Sequence, residues 1–348
     1  MDFELSPPYQ NTHLIGHDEA INLFLTAFNS NTLHHGWLIT GDEGIGKATL
    51  AYKIARFLLT AEEGKTYNSI EVNPDLPVFG QIVQKSHPDF KVLERDYTET
   101  DKKKLIKAIK DGEDIDEDLK QSLKRSSIIK VEDVRNVITF LAKKSFNNNW
   151  RVVIVDSADD LNVSSANALL KVLEEPPLKS ILILLSHNPG KLLPTIRSRC
   201  AKLALKPLKE QEVASLLRRY APKLEEAKVK GLAKIANGSI GRALKYANNN
   251  ALDLYESIKK VCYLGEKGDS ARLIEVANIA SSDEDNWDLF SELVCRLLRD
   301  SLENCKNFRD VYGAYENTLK ILNETVSLNM DKKLAAIEIL GLLIQIKF

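Results

Sequence analysis

Short apolar runs alternate with stretches of helical periodicity along the N-terminal part of the chain. The runs have no polar face, which is typical of strands in a parallel sheet that is covered by helices. Strands are expected at 36–40, 90–94, 151–156 and 180–186. Amphipathic helices are expected at 17–30, 46–60, 131–145 and 163–175. This alternation predicts a layered α/β domain with a parallel sheet.

After residues 203–212 the pattern becomes wholly helical. Three short amphipathic segments indicate a small helical unit, and longer amphipathic helices follow it. We therefore predict an α/β domain over 1–206, a three-helix domain over 207–250 and an all-α domain over 251–348. The apolar stripes of the last helices are expected to form a core, and their outer faces are hypothesised to form a subunit interface.

Residues 96–125 break the α/β pattern with a dense mixture of charges. They include nine acidic and eight basic residues, and the stretch DGEDIDED at 111–118 has six acids in eight positions. Such a segment is more typical of a solvated surface excursion than of a binding element. We predict an insertion into the α/β domain.

Composition excludes several classes of protein. The chain has 348 residues, of which 44% are hydrophobic and 28% charged, which is typical of a globular protein. Its net charge of −1 gives no overall attraction to nucleic acid. No cysteine pair has metal-ligand spacing, so neither zinc nor a disulfide framework is expected, which fits a reducing cytosol. The cysteines are Cys200, Cys262, Cys295 and Cys305.

Neither a signal peptide nor a membrane span is expected. The N-terminus MDFELSPPYQ has no apolar run. The longest apolar stretch, at 334–346, is interrupted by Glu338 and Gln345. The sequence therefore predicts a soluble protein of the cytoplasm.

The stretch GDEGIGKA at 41–48 fits the phosphate-loop pattern G-x-x-x-x-G-K-[ST] except at its last position. It lies between a predicted strand and a predicted helix, as a phosphate loop must. Its glycines let the backbone curl around phosphates, and its lysine meets their oxygens. The residues concerned are Gly41, Gly44, Gly46 and Lys47. Ala48 lacks the hydroxyl that holds Mg²⁺, and Thr49 is turned away by roughly 100° along the helix.

A second candidate element is VVIVDSADD at 152–160. Asp156 ends an apolar strand, where a carboxylate can face Mg²⁺ across the loop. Ser157 follows it and has no charge with which to act as a base. Asp159 and Asp160 are interpreted as helix-capping residues.

The motifs NALLKVLEEPP (167–177) and LLSHNPGKLLPTIRSRC (184–200) resemble those of the clamp-loader branch of the AAA+ proteins. Within that branch, DSAD combined with TIRSRC is most similar to the delta-prime subunits of bacterial DNA polymerase III. HPDFKVLE (87–94) and GSIGRALKYA (238–247) support the resemblance, which covers about 14–250. It implies an AAA+ phosphate-loop domain, a three-helix lid and an all-α collar domain that joins subunits.

The resemblance also implies roles for individual residues. Arg199 would act as an arginine finger on nucleotide bound by a neighbouring subunit, a task that suits its planar fork. Ser157 stands where hydrolysing AAA+ proteins carry a glutamate. Gly241 stands where active relatives carry a lid arginine, and Arg242 comes one residue later. His187 and Asn188 occupy either a polar sensor position or a simple loop turn. The zinc-binding cysteines of many relatives are lacking, so no metal is expected.

These departures predict a degenerate ATP site that holds ATP or ADP weakly and needs no cofactor. The expected partners are gamma/tau-type and delta-type clamp-loader subunits, the sliding clamp and primed DNA, with no membrane. Two alternatives stay open: an active gamma/tau-type ATPase in which Asp156 and Thr49 suffice for Mg²⁺, and, more remotely, a P-loop phosphotransferase. Basic residues form a cluster that is more typical of a solvated face than of a DNA contact. They lie at positions 202, 206, 209, 218 and 219.

Overall fold

The computed structural model describes residues 6–111, 123–145, 149–264, 270–304 and 307–346. It divides into two compact units, of which the first is Ser6–Glu212 and the second begins at Val213. The three-domain division at 206 and 250 remains a prediction. No helix among the described residues is long and apolar enough to cross a membrane.

A five-stranded parallel sheet organises the first unit. Its strands are β1 (Gly36–Thr40), β2 (Phe90–Leu93), β3 (Arg151–Val155), β4 (Ser180–Ser186) and β5 (Ala201–Ala204). They lie in the order β2-β3-β4-β1-β5, and every neighbouring pair is parallel. The predicted parallel α/β architecture is confirmed. Strand β5 was not predicted.

Helices cover both faces of this sheet, and one further helix lies in the charged segment. The helices are α1 (Asp18–Asn29), α2 (Lys47–Thr60), α3 (Pro77–Val83), α4 (Glu99–Asp111), α5 (Val131–Ala142), α6 (Val163–Glu174) and α7 (Pro194–Ser198). Alternate residues of β1 enter opposite cores: Trp37 and Ile39 pack with α1 and α2, whereas Leu38 packs with α5 and α6. Burial on both faces explains why β1, β3 and β4 lack a polar side.

The charged segment leaves the domain and returns at one place. The backbone N–H of Thr98 donates to the carbonyl of Lys124 at 2.9 Å, and that of Ser126 donates to the carbonyl of Asp96 at 2.7 Å. Between these points the chain forms α4, so the predicted excursion carries a regular helix that was not predicted from its sequence. Most of the acidic stretch at 111–118 lies outside the described residues.

From Glu210 onward every regular element among the described residues is a helix. These are α8 (Glu210–Tyr220), α9 (Glu226–Ile235), α10 (Ile240–Asn248), α11 (Ala251–Leu264), α12 (Ser270–Ala280), α13 (Glu284–Asn304), α14 (Phe308–Ser327) and α15 (Lys332–Gln345). Trp287 and Phe290 of α13 are fully buried in the second unit, as is Tyr246 of α10. The all-α character predicted for this part of the chain is confirmed.

Candidate functional site

The phosphate loop connects the carboxyl end of β1 to the first turn of α2. Gly41, Gly44 and Gly46 have φ values of 144°, 73° and 109°, a region that residues with a side chain rarely adopt. A Cβ atom on Gly41 would lie 2.7 Å from the carbonyl oxygen of Leu205. The curled backbone therefore depends on glycine here.

Lys47 is buried, with 4% of its surface exposed. Its ammonium group donates to the carbonyl oxygens of Gly41 at 2.7 Å and Asp42 at 2.6 Å, and lies 2.8 Å from Nδ1 of His187. An ammonium group has three donors, so groups of the protein engage all of them. A phosphate that accepts a hydrogen bond from Lys47 must displace at least one of these contacts.

Burial also changes the titration of Lys47. Loss of hydration lowers its pKa to about 8, and the nearby carboxylates of Glu43 and Asp42 limit the fall. Lys47 is therefore mainly charged at neutral pH, and a charged ammonium group only donates, so Nδ1 of His187 is the acceptor of this hydrogen bond. The lysine and the histidine form one hydrogen-bonded pair across the loop.

The residues around the loop do not fit the Mg²⁺ ligand set of a hydrolysing P-loop enzyme. That set joins a hydroxyl after the lysine to an acid at a strand end. Ala48 has no side-chain oxygen and packs against the hydrophobic core. Asp156 follows β3 as predicted, but burial, and next the negative charge of Glu94, raise its pKa. Among the described residues no group of three or more His, Cys, Asp or Glu side chains is placed to hold a metal ion.

Asp159 holds the end of β4, and the prediction that it caps a helix is wrong. Its carboxylate accepts hydrogen bonds from Ser186 Oγ at 2.7 Å and from the backbone N–H of His187 at 2.6 Å. Ser157 has a φ of 58°, and the turn it begins directs Asp159 back towards β4. The side chain that caps α6 is that of Asn162, which accepts from the N–H of Ser165.

Asp160 also has a different role from the predicted helix cap. Its carboxylate pairs with Nε of Arg95 at 3.3 Å. Both acids therefore fasten neighbouring segments of the α/β unit, whereas the sequence pattern alone indicated local capping.

The two interpretations of residues 187 and 188 apply to different residues. His187 reaches the phosphate loop, as a polar sensor would. The side chain of Asn188 accepts from the N–H of Gly190 at 3.2 Å, and its carbonyl accepts from the N–H of Lys191 at 3.0 Å, which is a loop turn. The chain Asp159–His187–Lys47 was missed because it depends on the neighbouring positions of β1 and β4.

Arg199 lies just after α7 and is partly exposed. Its Nη2 atom lies 2.7 Å from Oε1 of Glu174, and its Nη1 donates to the carbonyl of Thr195 at 3.1 Å. The side chain is 36% exposed. The next residue, Cys200, is buried, which raises the pKa of its thiol to about 12.

The structure does not bring Arg199 together with the phosphate loop. A Cβ atom on Gly36, the first residue of β1, would lie 3.2 Å from the carbonyl oxygen of Arg199. The loop begins at the other end of β1, after Thr40. A strand rises about 3.3 Å per residue, so Gly36, beside Arg199, lies roughly 13 Å from Thr40, which precedes the loop.

Arg242 is engaged within the second unit. Its guanidinium Nε lies 2.6 Å from Oε1 of Glu292, and its Nη1 donates to the carbonyl of Ala236 at 3.2 Å. Its backbone N–H donates to Ser239 Oγ, the N-cap of α10. Gly241, in the first turn of the same helix, has no side chain to offer a nucleotide.

Comparison with known proteins identifies a family. The profile of the family described as "DNA polymerase III, delta subunit" matches residues 16–209. DNA polymerase III subunit delta' of Pseudomonas aeruginosa is 32% identical over 170 residues, 49% of this chain and 42% of that protein. The gamma subunit of Buchnera aphidicola from Schizaphis graminum is 28% identical over 245 residues, 68% of this chain and 57% of that protein.

A further delta' subunit, that of Escherichia coli, is 27% identical over 256 residues, which are 73% of this chain and 67% of that protein. The chain spans about half the length of the first curated relatives that it matches. Delta' and gamma subunits are therefore both among its relatives.

Proposed function

Because the chain belongs to the DNA polymerase III delta subunit family, we propose that it acts as a delta-prime-type clamp-loader subunit. In this role it hydrolyses little or no ATP itself and supplies Arg199 to the ATP site of an adjacent subunit. Its gamma/tau-type and delta-type partners then open the sliding clamp and place it on primed DNA.

The contrast between Lys47 and Arg199 supports this proposal. Lys47 is buried, and groups of the protein accept hydrogen bonds from all three of its donors. Arg199 is partly exposed, and its side chain contacts the carboxylate of Glu174 and the carbonyl of Thr195. Arg199 also lies near the amino end of β1, and the loop at the carboxyl end. An arginine in that position is suited to nucleotide bound by another molecule rather than by its own loop. Its planar fork can hold a phosphate with paired donors.

The proposed lack of turnover rests on three chemical groups that the sequence lacks. Ala48 provides no Mg²⁺ ligand, Ser157 provides no acid to activate water, and Gly241 provides no lid arginine. Each missing group typically lowers turnover by about 10²–10⁴-fold, although such effects do not add simply. Weak binding of ATP or ADP by the loop remains part of the proposal.

The similarity to a gamma subunit favours one alternative, an active motor ATPase. Turnover by the isolated chain separates the two, because the proposed subunit is inert and a motor is not. A rate comparable to that of motor subunits would contradict the degenerate site. Family membership gives no support to a small-molecule phosphotransferase.

The arginine finger is tested in a clamp loader reconstituted from the subunits of the same organism. Arg199→Ala is expected to lower clamp- and DNA-stimulated ATP turnover at least about twofold. This is a lower bound, since only one site loses a finger that contributes about 10³–10⁵-fold there. Arg219→Ala, which removes an exposed arginine of α8, is the matched control. Equal turnover with Arg199→Ala and Arg219→Ala would contradict the proposed finger.

A further inference from the structure

We infer that Glu174 is a positioning residue that holds the guanidinium of Arg199 ready for phosphate, an inference that rests on the proposed function. Glu174 is the last residue of α6, and Arg199 follows α7, 25 positions later in the chain. Their side chains meet at 2.7 Å between Oε1 and Nη2. Arg199 lies near the start of β1, whereas the phosphate loop of this chain follows the end of that strand.

The backbones on both sides of this pair are fixed to the same point of the sheet. The His35 ring nitrogen Nε2 bonds to the carbonyl of Leu173 at 2.8 Å. A Cβ atom on Gly36 would lie 2.8 Å from the side chain of Leu173 and 3.2 Å from the carbonyl of Arg199. The start of β1 therefore sets the separation of the two chain segments, and the ion pair then selects one orientation of the long arginine side chain.

The contacts leave the guanidinium able to bind a second group. It has five N–H donors in a fixed plane, and the contacts with Glu174 and Thr195 use one on each of two nitrogens. The remaining donors serve phosphate oxygens while Glu174 stays bound. Functional side chains are commonly held in place by a neighbouring group that does not itself contact the ligand. Here Glu174 would hold Arg199 in this way.

The exposure of the pair argues against a purely structural role. Glu174 is 48% exposed and Arg199 is 36% exposed, and ion pairs of this kind contribute little to stability. Variants of Glu174 are therefore expected to fold as the wild-type chain does. Any change that they cause in ATP turnover is therefore attributed to the orientation of Arg199.

The experiment compares Glu174→Ala, Glu174→Gln and the matched control Glu175→Ala in the reconstituted clamp loader. Glu175 is the next residue, is exposed and carries the same charge. Glu174→Ala is expected to abolish at least about half of the turnover number that Arg199 contributes, since misorientation of a functional group is costly. The KM for ATP is expected to stay within about twofold, because the change acts in the transition state.

The conservative variant supplies a readout that a structural role would not move. Glu174→Gln keeps an oxygen that accepts a hydrogen bond from Arg199, and is expected to restore most of the turnover. Adding Glu174→Ala to Arg199→Ala is expected to cause no further loss, because the two residues act as one unit. Thermal unfolding of each isolated variant confirms that it is folded.

The outcomes distinguish the inference from the proposed function. If Arg199→Ala itself has no effect, the arginine finger is wrong and the inference falls with it. If Arg199→Ala lowers turnover but Glu174→Ala matches Glu175→Ala, only the role of Glu174 is overturned. A rise in turnover with Glu174→Ala also overturns it, because the carboxylate would then restrain the arginine rather than position it.

Discussion

At the scale of single residues, the hydrogen bonds of Lys47 within the protein compete with any phosphate for the donors of its ammonium group. Its three hydrogen bonds end on Gly41, Asp42 and His187, and Asp159 in turn holds the backbone of His187. Two of these acceptors are part of the loop itself. His187 is the acceptor that a substitution can remove without altering the loop backbone.

We predict that His187→Ala increases the affinity of the isolated chain for ADP about tenfold. The change removes a hydrogen bond to a charged group, worth about 1.5 kcal/mol, which corresponds to about tenfold in a binding constant. Isothermal titration calorimetry at neutral pH measures the dissociation constant. The control is Asn188→Ala, which alters the adjacent loop turn. Weaker ADP binding by His187→Ala would show that the imidazole helps to hold nucleotide.

At the scale of elements, β1, α6 and α7 converge at the amino end of β1. Gly36 allows the approach, because a Cβ atom there would lie within 3.2 Å of Leu173, Arg199 and Cys200. These neighbours are parts of packed elements and have little room to move. The absence of a side chain at Gly36 thus allows the backbone of Arg199 to lie where it does.

We predict that Gly36→Ala lowers the free energy of unfolding by about 1–3 kcal/mol, the usual effect of overpacking. Gly80→Ala is the matched control, because a Cβ atom on Gly80 in α3 has no neighbour within 4 Å. Alanine there is expected to raise stability by up to about 1 kcal/mol, since glycine is unfavourable inside a helix. Urea unfolding followed by circular dichroism measures both. Equal stability of the two variants would contradict the close approach at Gly36.

The elements that could be predicted from the sequence are those whose residues show the pattern within one segment of the chain. Four strands had short, mainly apolar runs, and the structure contains them within one residue of their predicted bounds. Strand β5 was missed because it has only four residues, of which Lys202 and Ala204 are exposed, and its pairing with β1 is not visible in the sequence. Helix α4 was missed because its charges dominate its composition.

The contacts of the candidate site depend on pairings that no single sequence reveals. Thr40 and Ser186 are partners in the register of β1 and β4, which brings His187 beside the loop. The pairing of Glu174 with Arg199 likewise requires α6 and α7 to meet. Ala48 and Ser157 could be identified from their positions in motifs alone, because these substitutions concern the presence of a chemical group rather than its surroundings.

At the scale of the molecule, charge gives the chain little attraction to DNA. Its net charge is −1. In the basic cluster at 202–219, Lys206 pairs with Glu19 at 2.9 Å and Arg218 pairs with Glu226 at 2.7 Å. These carboxylates oppose the local positive potential that a phosphate backbone would require.

We predict that the isolated chain binds primed DNA with a dissociation constant weaker than about 10⁻⁴ M at physiological salt, below ordinary non-specific binding. Fluorescence anisotropy of labelled DNA measures this constant. The control is the reconstituted clamp loader, which is expected to bind under the same conditions. A dissociation constant below about 10⁻⁴ M at physiological salt would refute the prediction, and a steep loss of that binding between about 50 and 200 mM salt would attribute it to phosphate contacts.

The opposed ends of β1 have a consequence for assembly order. A neighbour that uses Arg199 meets the side of the sheet where β1 begins, whereas a neighbour that serves the loop would meet the side where β1 ends. Contacts of this kind join unlike faces, so they propagate in one direction and cannot form a two-fold dimer. On the proposed function, Arg199 acts on the ATP site of one neighbour, whereas the phosphate loop of this chain hydrolyses little or no ATP and needs no arginine from a second neighbour. The chain is therefore suited to the terminal place in a row of subunits, and an interior place would interrupt the row.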